Sequence, residues 1–293
     1  MAAYTAESSH EAAAIDPRTL ERIVRSALRE DIGRGDLTSL FTIPPGVRAR
    51  GILLAKQDGV MAGGPVAAEC FSQNEPGCSL SELLPDGERF SDGDTLGRIE
   101  GTARGLLGAE RVALNFLQRL CGVATLTRQF ADELEGTGAK VTDTRKTTPG
   151  LRALEKAAVV AGGGSNHRFA LYDGILIKDN HIQLAGGITR AIERARAGAP
   201  HTLKIEVETT HLNEVREALE AGADIIMLDN MDNDTMAEAV RIVDGAALVE
   251  ASGNMCLERM REVGMLGVDL ISVGALTHSA QAVDISLELE LLD

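Results

Sequence analysis

From Lys140 onward the sequence alternates short apolar runs with amphipathic stretches, and this alternation constrains the fold more than any other feature. Runs such as Ile225-Ile226-Met227-Leu228 are apolar at consecutive positions, which is typical of a strand covered on both faces. Amphipathic stretches such as 212–221 and 233–243 separate these runs and have helical spacing. The pattern predicts parallel β-α units. Six strands are expected, at 141–144, 174–178, 203–208, 225–229, 247–252 and 270–274.

The residues before position 123 follow a different pattern. Apolar residues at helical spacing after Asp16-Pro17 predict an opening helix over 16–28, and the polar stretch 30–38 predicts a surface loop. Asp-Gly pairs break the short apolar runs between Val47 and Gly105, which predicts antiparallel strands, followed by a helix over 106–121. The predicted organisation is a flexible tail over 1–15, a first domain over 16–122 and a second over 123–280. The segment 281–293 is a candidate to pack back on the first domain.

Composition narrows the class of protein. The chain has 293 residues, of which 44% are hydrophobic, so it can bury a sizeable core. Its formal net charge of -15 opposes a general attraction to nucleic acid or to an anionic membrane, and neither is an expected partner. It contains no run of 18 apolar residues and does not open with the basic and apolar run of a secretory signal, so a cytoplasmic location is predicted.

Polar or small residues stand at the end of every predicted strand of the second domain. In a parallel α/β barrel the carboxyl ends of the strands converge on one mouth, where active sites are built. An open doubly wound sheet is the alternative, and periodicity does not choose between the two. Burying a lone charge is costly, so charged strand ends indicate a site rather than packing. The residues concerned are Asp143, Lys178, Glu208, Asp229, Ser252 and Gly274.

The window 141–180 is a basic island in an acidic chain, with six Lys or Arg residues against four Asp or Glu residues. Several of its cations flank predicted strands, so they are expected to face the same mouth. Arginine binds carboxylate or phosphate through two parallel hydrogen bonds, which predicts a ligand with several negative charges. The candidate binding residues are Arg145, Lys146, His167, Arg168 and Lys178.

Small residues at the last two strand ends predict phosphate binding. Ser252-Gly253-Asn254 and Gly274 occupy the places where many barrels bind phosphate on backbone N–H groups. The sequence contains neither a Walker-type loop nor a G-x-G-x-x-G fingerprint. Glu208 and Asp229 are candidate metal ligands, for Mg²⁺ shared with phosphates rather than enclosed by the protein.

Several motifs occur together and in order from about residue 16 to the C-terminus, and they resemble the quinolinate phosphoribosyltransferases. They are Glu30–Thr38, Glu110–Phe116, Thr144–Arg152, Gly162–Arg168, Ile177–His181, Glu206–Glu208, Met227–Asn230 and Glu250–Asn254. The resemblance implies an N-terminal α/β sandwich domain and an incomplete parallel α/β barrel of about six strands. It also implies conversion of quinolinate and phosphoribosyl pyrophosphate to nicotinate mononucleotide, carbon dioxide and pyrophosphate, with Mg²⁺ as cofactor.

The resemblance further implies a role for each candidate residue. Arg145, His167, Arg168 and Lys178 hold the two substrate carboxylates, and Lys146, Glu208 and Asp229 serve the ribose and the pyrophosphate. Ser252, Gly253, Asn254 and Gly274 hold the 5′-phosphate. Lys146, Lys178, Glu208 and Asp229 are thus the expected catalytic residues. The expected assembly is a homodimer or larger oligomer in which Arg111 reaches the active site of the neighbouring subunit.

Two other functions are compatible with parts of the pattern. Lys178 at a strand end is the position that a Schiff-base aldolase would use for its nucleophile, but Asp179 and an anionic ligand oppose the lowered pKa that such a lysine requires. A non-catalytic nucleotide-binding relative would keep the fold and is expected to lack Glu208, Asp229 or the Arg145-Lys146 pair. All of these residues are present.

Overall fold

The computed structural model describes residues 15–292, so all but the last residue of the predicted tail over 1–15 lies outside the described residues. The helices are α1 Pro17–Ile32, α2 Leu37–Thr42, α3 Gly64–Asn74, α4 Ala103–Glu133, α5 Arg152–Ala161, α6 Asp179–Ala185, α7 Ile188–Gly198, α8 Leu212–Glu220, α9 Asn233–Val243, α10 Leu257–Met265 and α11 Ala275–His278. The strands are β1 Arg48–Ala55, β2 Gly59–Val60, β3 Ser79–Ser81, β4 Arg89–Phe90, β5 Thr95–Thr102, β6 Lys140–Thr142, β7 Ile175–Ile177, β8 Ile205–Thr209, β9 Ile225–Asp229, β10 Leu248–Ser252, β11 Leu270–Ser272 and β12 Ile285–Leu291.

These elements form two compact units. The first contains the described residues up to Arg128, residues 148–163 and those from Ser279 on, and the second contains residues 129–147 and 164–278. Across residues 15–292, no helix is both long enough and apolar enough to span a lipid bilayer.

The first unit is organised around an antiparallel sheet of strand order β12-β1-β5-β3. The burial of β1 alternates residue by residue, as expected for a strand with one face on a core. The last strand, β12, pairs with β1 from Ala55↔Ile285 to Ala49↔Leu291, so the end of the described chain completes this sheet. The antiparallel strands expected between Val47 and Gly105 are confirmed.

The opening helix is longer than predicted. Asp16 caps α1 by accepting the Thr19 N–H over 2.9 Å, but the helix continues past residue 28 to Ile32 and ends at Gly33, which has φ +53°. A second helix, α2, then begins at Leu37. The bounds of the surface loop predicted over 30–38 are therefore wrong at both ends. At the first end, charged residues such as Glu30 and Asp31 are compatible with the exposed face of a helix.

Helix α4 is also longer than predicted, with 31 residues in place of a helix ending at 121. It passes through residue 122, where the domain junction is predicted, because no proline interrupts it and glycine is tolerated inside a helix. Gly122 is where the backbone of the C-terminal segment approaches the helix. A Cβ at this position would clash with the carbonyl oxygen of Gln281 and lie 3.2 Å from the Ala282 Cα.

The second unit contains a parallel six-stranded sheet in which all six predicted strands are present. Its strand order is β6-β11-β10-β9-β8-β7, so consecutive strands from β7 to β11 are neighbours and the first strand, β6, lies beside the last. In a doubly wound sheet the first strand would instead lie inside the sheet, and later strands would be added on both sides of it. The order is that of an α/β barrel opened between β6 and β7, and the described strands do not close. The incomplete barrel that the resemblance implies is confirmed.

Gly122→Ala is expected to lower the free energy of unfolding by about 3 kcal/mol or more, because the new methyl group meets backbone atoms that cannot rotate away. Chemical denaturation monitored by circular dichroism measures the change. Gly198→Ala is the matched control, since Gly198 also lies in a helix and a Cβ there meets nothing within 4 Å. Equal stability of both variants would contradict the close approach at Gly122.

Candidate active site

The second unit has a cavity of about 870 Å³ at the carboxyl ends of its strands. Eleven of the twelve residues to which the resemblance gives a role line it. The twelfth, Arg111, is exposed on α4 in the first unit. The lining set comprises Arg145, Lys146, His167, Arg168, Lys178, Glu208, Asp229, Ser252, Gly253, Asn254 and Gly274.

The loop that carries His167 and Arg168 is bound to the open edge of β6. Ser165 forms a parallel bridge with Thr142, and its N–H donates to the Val141 carbonyl over 2.9 Å. At the end of the strand the fully buried Asp143 accepts the His167 N–H over 2.9 Å. Asp143 therefore fixes the main chain at the point where two cavity residues begin.

Two arginines crowd one wall of the cavity. Burial, and next to it the positive charge of Arg145, lower the pKa of the Arg168 guanidinium, with a smaller opposite effect from Glu206. The Arg168 Nη1 donates to the Gly174 carbonyl over 2.9 Å, which anchors the side chain near the start of β7. Neighbouring cations in a partly desolvated wall are stabilised by an anionic ligand.

Lys178 follows β7 and forms an ion pair with Glu208 on the neighbouring strand β8. The Lys178 backbone N–H donates to His181 Nδ1 over 3.0 Å, so His181 fixes the start of α6. This role was not predicted, because a histidine three residues beyond a strand end is equally compatible with a position on the surface. The pairing places a cation and a carboxylate side by side at the cavity mouth.

A chain of polar side chains links β9 to the loop after β10. Asn230 Nδ2 donates to Asp229 Oδ2 over 2.9 Å, and Asn254 Nδ2 donates to Asn230 Oδ1 over 3.0 Å. Both asparagines have positive φ, at +54° and +50°, which is uncommon outside glycine. Gly253, which directly precedes Asn254, has φ +87°, and a Cβ there would clash with the Asn230 side chain. Only glycine allows this close approach.

Lys146 and Gly274 meet in the lining of the cavity. The Thr277 hydroxyl donates to the Lys146 carbonyl over 2.7 Å and fixes that loop. A Cβ on Gly274 would lie 2.9 Å from the Lys146 Cδ, so the small residue leaves room for the lysine side chain. The predicted strand-end glycine therefore has a steric function beside a cavity cation.

Several cavity residues were not predicted, among them Glu250, Asn230, Thr144 and His278. Glu250 lies inside β10, two residues before Ser252. Alternate residues of a strand face the same side, so a carboxylate two positions before a site residue was the available signal. Burial, and next to it the charge of Glu206, raise the pKa of Glu250 to about 7.

Glu208 and Asp229 are suited to a hard divalent cation. They supply carboxylate oxygens from the adjacent strands β8 and β9, and both line an open cavity rather than a closed cage. Oxygen donors with free space for further ligands are what Mg²⁺ requires, because it keeps waters or phosphate oxygens in its coordination shell. The donor set fits the cation that the sequence resemblance implies.

A six-stranded open barrel with a cationic wall, a carboxylate pair and small residues at its strand ends defines an α/β-barrel enzyme site for a polyanionic substrate. Residues 36–121 match the N-terminal domain of quinolinate phosphoribosyl transferase, and residues 123–288 match its C-terminal domain. The chain belongs to the quinolinate phosphoribosyltransferase family.

Individual relatives agree with this family. The chain is 43% identical over 290 residues to the chloroplastic nicotinate-nucleotide pyrophosphorylase [carboxylating] of Oryza sativa subsp. japonica, covering 92% of this chain and 78% of the relative. It is also 43% identical to the probable nicotinate-nucleotide pyrophosphorylase [carboxylating] of Bacillus subtilis (strain 168), covering 93% and 94% of the two chains. Among solved structures, NadC from Streptococcus pyogenes superposes with a TM-score of 0.92 at 40% identity, covering 96% of this chain and 100% of the other.

Proposed function

We propose that the chain transfers a phosphoribosyl group from phosphoribosyl pyrophosphate to quinolinate and releases carbon dioxide and pyrophosphate, giving nicotinate mononucleotide. One observation carries the proposal. The cationic residues Arg145, Arg168 and Lys178 line the same cavity as the carboxylates Glu208 and Asp229. A substrate with two carboxylates needs the first group, and a transition state with positive charge on a sugar needs the second.

In the first step the pyridine nitrogen attacks the anomeric carbon of the ribose as the bond to pyrophosphate breaks. The cationic wall holds the two ring carboxylates and thereby aims the nitrogen. Positive charge develops on the ribose, and the carboxylates of Glu208 and Asp229 stabilise it. The ion pair between Lys178 and Glu208 orients that carboxylate before substrate arrives. Positioning is the main contribution of the protein at this step.

The opposite end of the cavity suits the phosphates. The loop Ser252-Gly253-Asn254 and Gly274 offer backbone N–H groups for the 5′-phosphate, and Lys146 faces the pyrophosphate. Glu208 and Asp229 would hold Mg²⁺, which when bound supplies charge neutralisation for the pyrophosphate. These assignments extend the roles expected from the sequence.

In the second step the bond between ring carbon 2 and its carboxylate breaks, and carbon dioxide leaves. The electron pair stays on carbon 2 beside the now positive ring nitrogen, and a proton replaces the carboxylate. Because the cationic ring itself accommodates this charge, the protein needs only to hold the remaining carboxylate and the ribose phosphate in place.

We also propose a shared active site in a homodimer or a larger oligomer. Arg111 is exposed on α4, so its guanidinium is available to a neighbouring subunit. The cytoplasmic location expected from the sequence stays a prediction.

The Schiff-base alternative is disfavoured by the position of its nucleophile. The Lys178 amine forms an ion pair with Glu208, whereas attack on a carbonyl requires the free amine. A non-catalytic role is disfavoured because the carboxylates and cations of the proposed chemistry all line one cavity.

The direct test supplies quinolinate, phosphoribosyl pyrophosphate and Mg²⁺ and measures carbon dioxide and nicotinate mononucleotide. We expect stoichiometric release of both from quinolinate and no product from nicotinate, because nicotinate lacks the 2-carboxylate that the cationic wall binds. Product from nicotinate alone would assign the chain to a reaction without decarboxylation. No product from either substrate would contradict the proposed function.

The shared site predicts complementation between two variants that each have little activity at quinolinate concentrations below the wild-type KM. Arg111→Ala is expected to raise the KM for quinolinate by about ten-fold or more, through loss of a charge-assisted contact, without unfolding the chain. Co-refolding Arg111→Ala with Lys178→Ala subunits should restore about one quarter of the wild-type sites, since half of the dimers are hybrids with one complete site.

The control for that experiment mixes Lys178→Ala with Glu208→Gln. Both residues lie in the same barrel, so no hybrid site is complete and no activity should return. Equal recovery in the two mixtures, or none in either, would contradict a site completed by the neighbouring subunit.

A further inference from the structure

Asn230, the first residue after β9, contacts two parts of the cavity that have separate proposed roles. Its Nδ2 donates to Asp229 Oδ2 over 2.9 Å, and its Oδ1 accepts from Asn254 Nδ2 over 3.0 Å. Its backbone N–H donates to the Ser252 carbonyl over 3.0 Å. The sequence resemblance gives Asn230 no role. It nevertheless joins a proposed metal ligand, Asp229, to the phosphate loop, the name used here for Ser252-Gly253-Asn254.

Both ends of the Asn230 side-chain amide are used, and their chemistry fixes the direction of the hydrogen bonds. A carboxylate that binds a metal is ionised and only accepts hydrogen bonds, so the Asn230 Nδ2 has to face Asp229. The Oδ1 is then left to accept, and the Asn254 Nδ2 is the donor that reaches it. An aspartate at position 230 could not donate to Asp229, and an apolar side chain could make neither contact. The two contacts together therefore require an amide at this position.

The phosphate loop also packs directly against this amide. A Cβ on Gly253 would have the Oδ1, Cγ and Nδ2 of Asn230 as its three nearest atoms. Asn230 and Asn254 have φ of +54° and +50°, in the left-handed region that asparagine adopts more readily than most residues. Rotation of the Asn230 amide would break a hydrogen bond or press on the Gly253 main chain. The position of the loop and the orientation of the Asp229 carboxylate therefore depend on the same side chain.

We propose that Asn230 is a positioning residue that couples cation binding at Asp229 to phosphate binding at the phosphate loop. A phosphate held by the loop fixes Gly253 and Asn254, which fix the Asn230 amide and through it the Asp229 carboxylate. A cation on Asp229 acts along the same contacts in the reverse direction, because coupling between two binding sites is reciprocal. The inference rests on the proposed function for the identity of the two ligands.

Such coupling favours the intact phosphoribosyl donor over its fragments. The donor carries its 5′-phosphate and its pyrophosphate on one ribose, so it occupies the phosphate loop and the metal side of the cavity together. Ribose 5-phosphate or pyrophosphate alone leaves one of the two positions empty and gains nothing from the coupling. Discrimination against the fragments is then greater than the contacts at each end provide separately.

The first test measures the binding of two probes, Mn²⁺ and ribose 5-phosphate, without turnover. Isothermal titration calorimetry gives the Kd for ribose 5-phosphate with and without saturating Mn²⁺. We expect Mn²⁺ to lower this Kd by about five-fold or more in wild type and by about two-fold or less in Asn230→Gly. Glycine removes the amide but tolerates the positive φ. Asn213→Ala, which changes an exposed asparagine on α8, is the control and should behave like wild type.

The outcomes separate this inference from the proposed function. Equal coupling in wild type and Asn230→Gly would overturn the inference and leave the proposed function standing. Failure of the wild-type chain to bind either probe would contradict the proposed function, and the inference with it.

The second test is a double-mutant cycle on the KM for phosphoribosyl pyrophosphate, with Asn230→Gly and Asn254→Gly. Because the two amides act through one shared hydrogen bond, the increase in the double variant should fall about five-fold or more below the product of the single increases. The KM for quinolinate should change by less than about two-fold, since its proposed contacts are on the cationic wall. A purely structural defect would reduce the amount of active chain and leave both KM values unchanged. Multiplicative increases, or an unchanged KM for phosphoribosyl pyrophosphate, would overturn the positioning role.

Discussion

The pairing of β6 with β11 is the constraint on which the rest of this structure depends. It places the first parallel strand beside the last, with Lys140 opposite Leu270 and Thr142 opposite Ser272. Residues at or just after the ends of all six strands line one cavity, as the converging carboxyl ends of an α/β barrel do. The opening on the other side of β6 is occupied by the loop at Ser165, which brings His167 and Arg168 to the same mouth. Residues more than a hundred positions apart thus line one cavity.

Electrostatics explains why this mouth suits a polyanion in an acidic chain. The net charge of -15 is distributed over the whole molecule, whereas the cavity gathers Arg145, Lys146, Arg168 and Lys178. Carboxylates beneath and beside these cations limit their repulsion, as the pair Lys178 with Glu208 illustrates. Partial desolvation strengthens each of these interactions relative to water. The cationic wall can therefore bind the carboxylates of a substrate strongly, and the chain stays folded when no substrate is bound.

The sequence predicted what depends on local periodicity and missed what depends on tertiary neighbours. The six parallel strands were found because each is apolar along its length, and Lys178, Glu208 and Asp229 were found because charges interrupt those runs. The length of α4 was missed because Gly122 resembles a helix end. The glycine inside this helix is explained only by the close approach of the Gln281 backbone, which depends on tertiary structure. Glu250 and His181 were missed as site residues because burial and hydrogen bonding to Lys178 are set by the packed barrel.

A crystal structure of the chain with quinolinate, Mg²⁺ and an unreactive analogue of phosphoribosyl pyrophosphate tests whether one cavity binds both substrates. We expect the two ring carboxylates on Arg145, Arg168 and Lys178, the metal beside Glu208 and Asp229, and the 5′-phosphate on the loop Ser252-Gly253-Asn254. Density for quinolinate outside this cavity, or a metal held without Glu208 and Asp229, would contradict it.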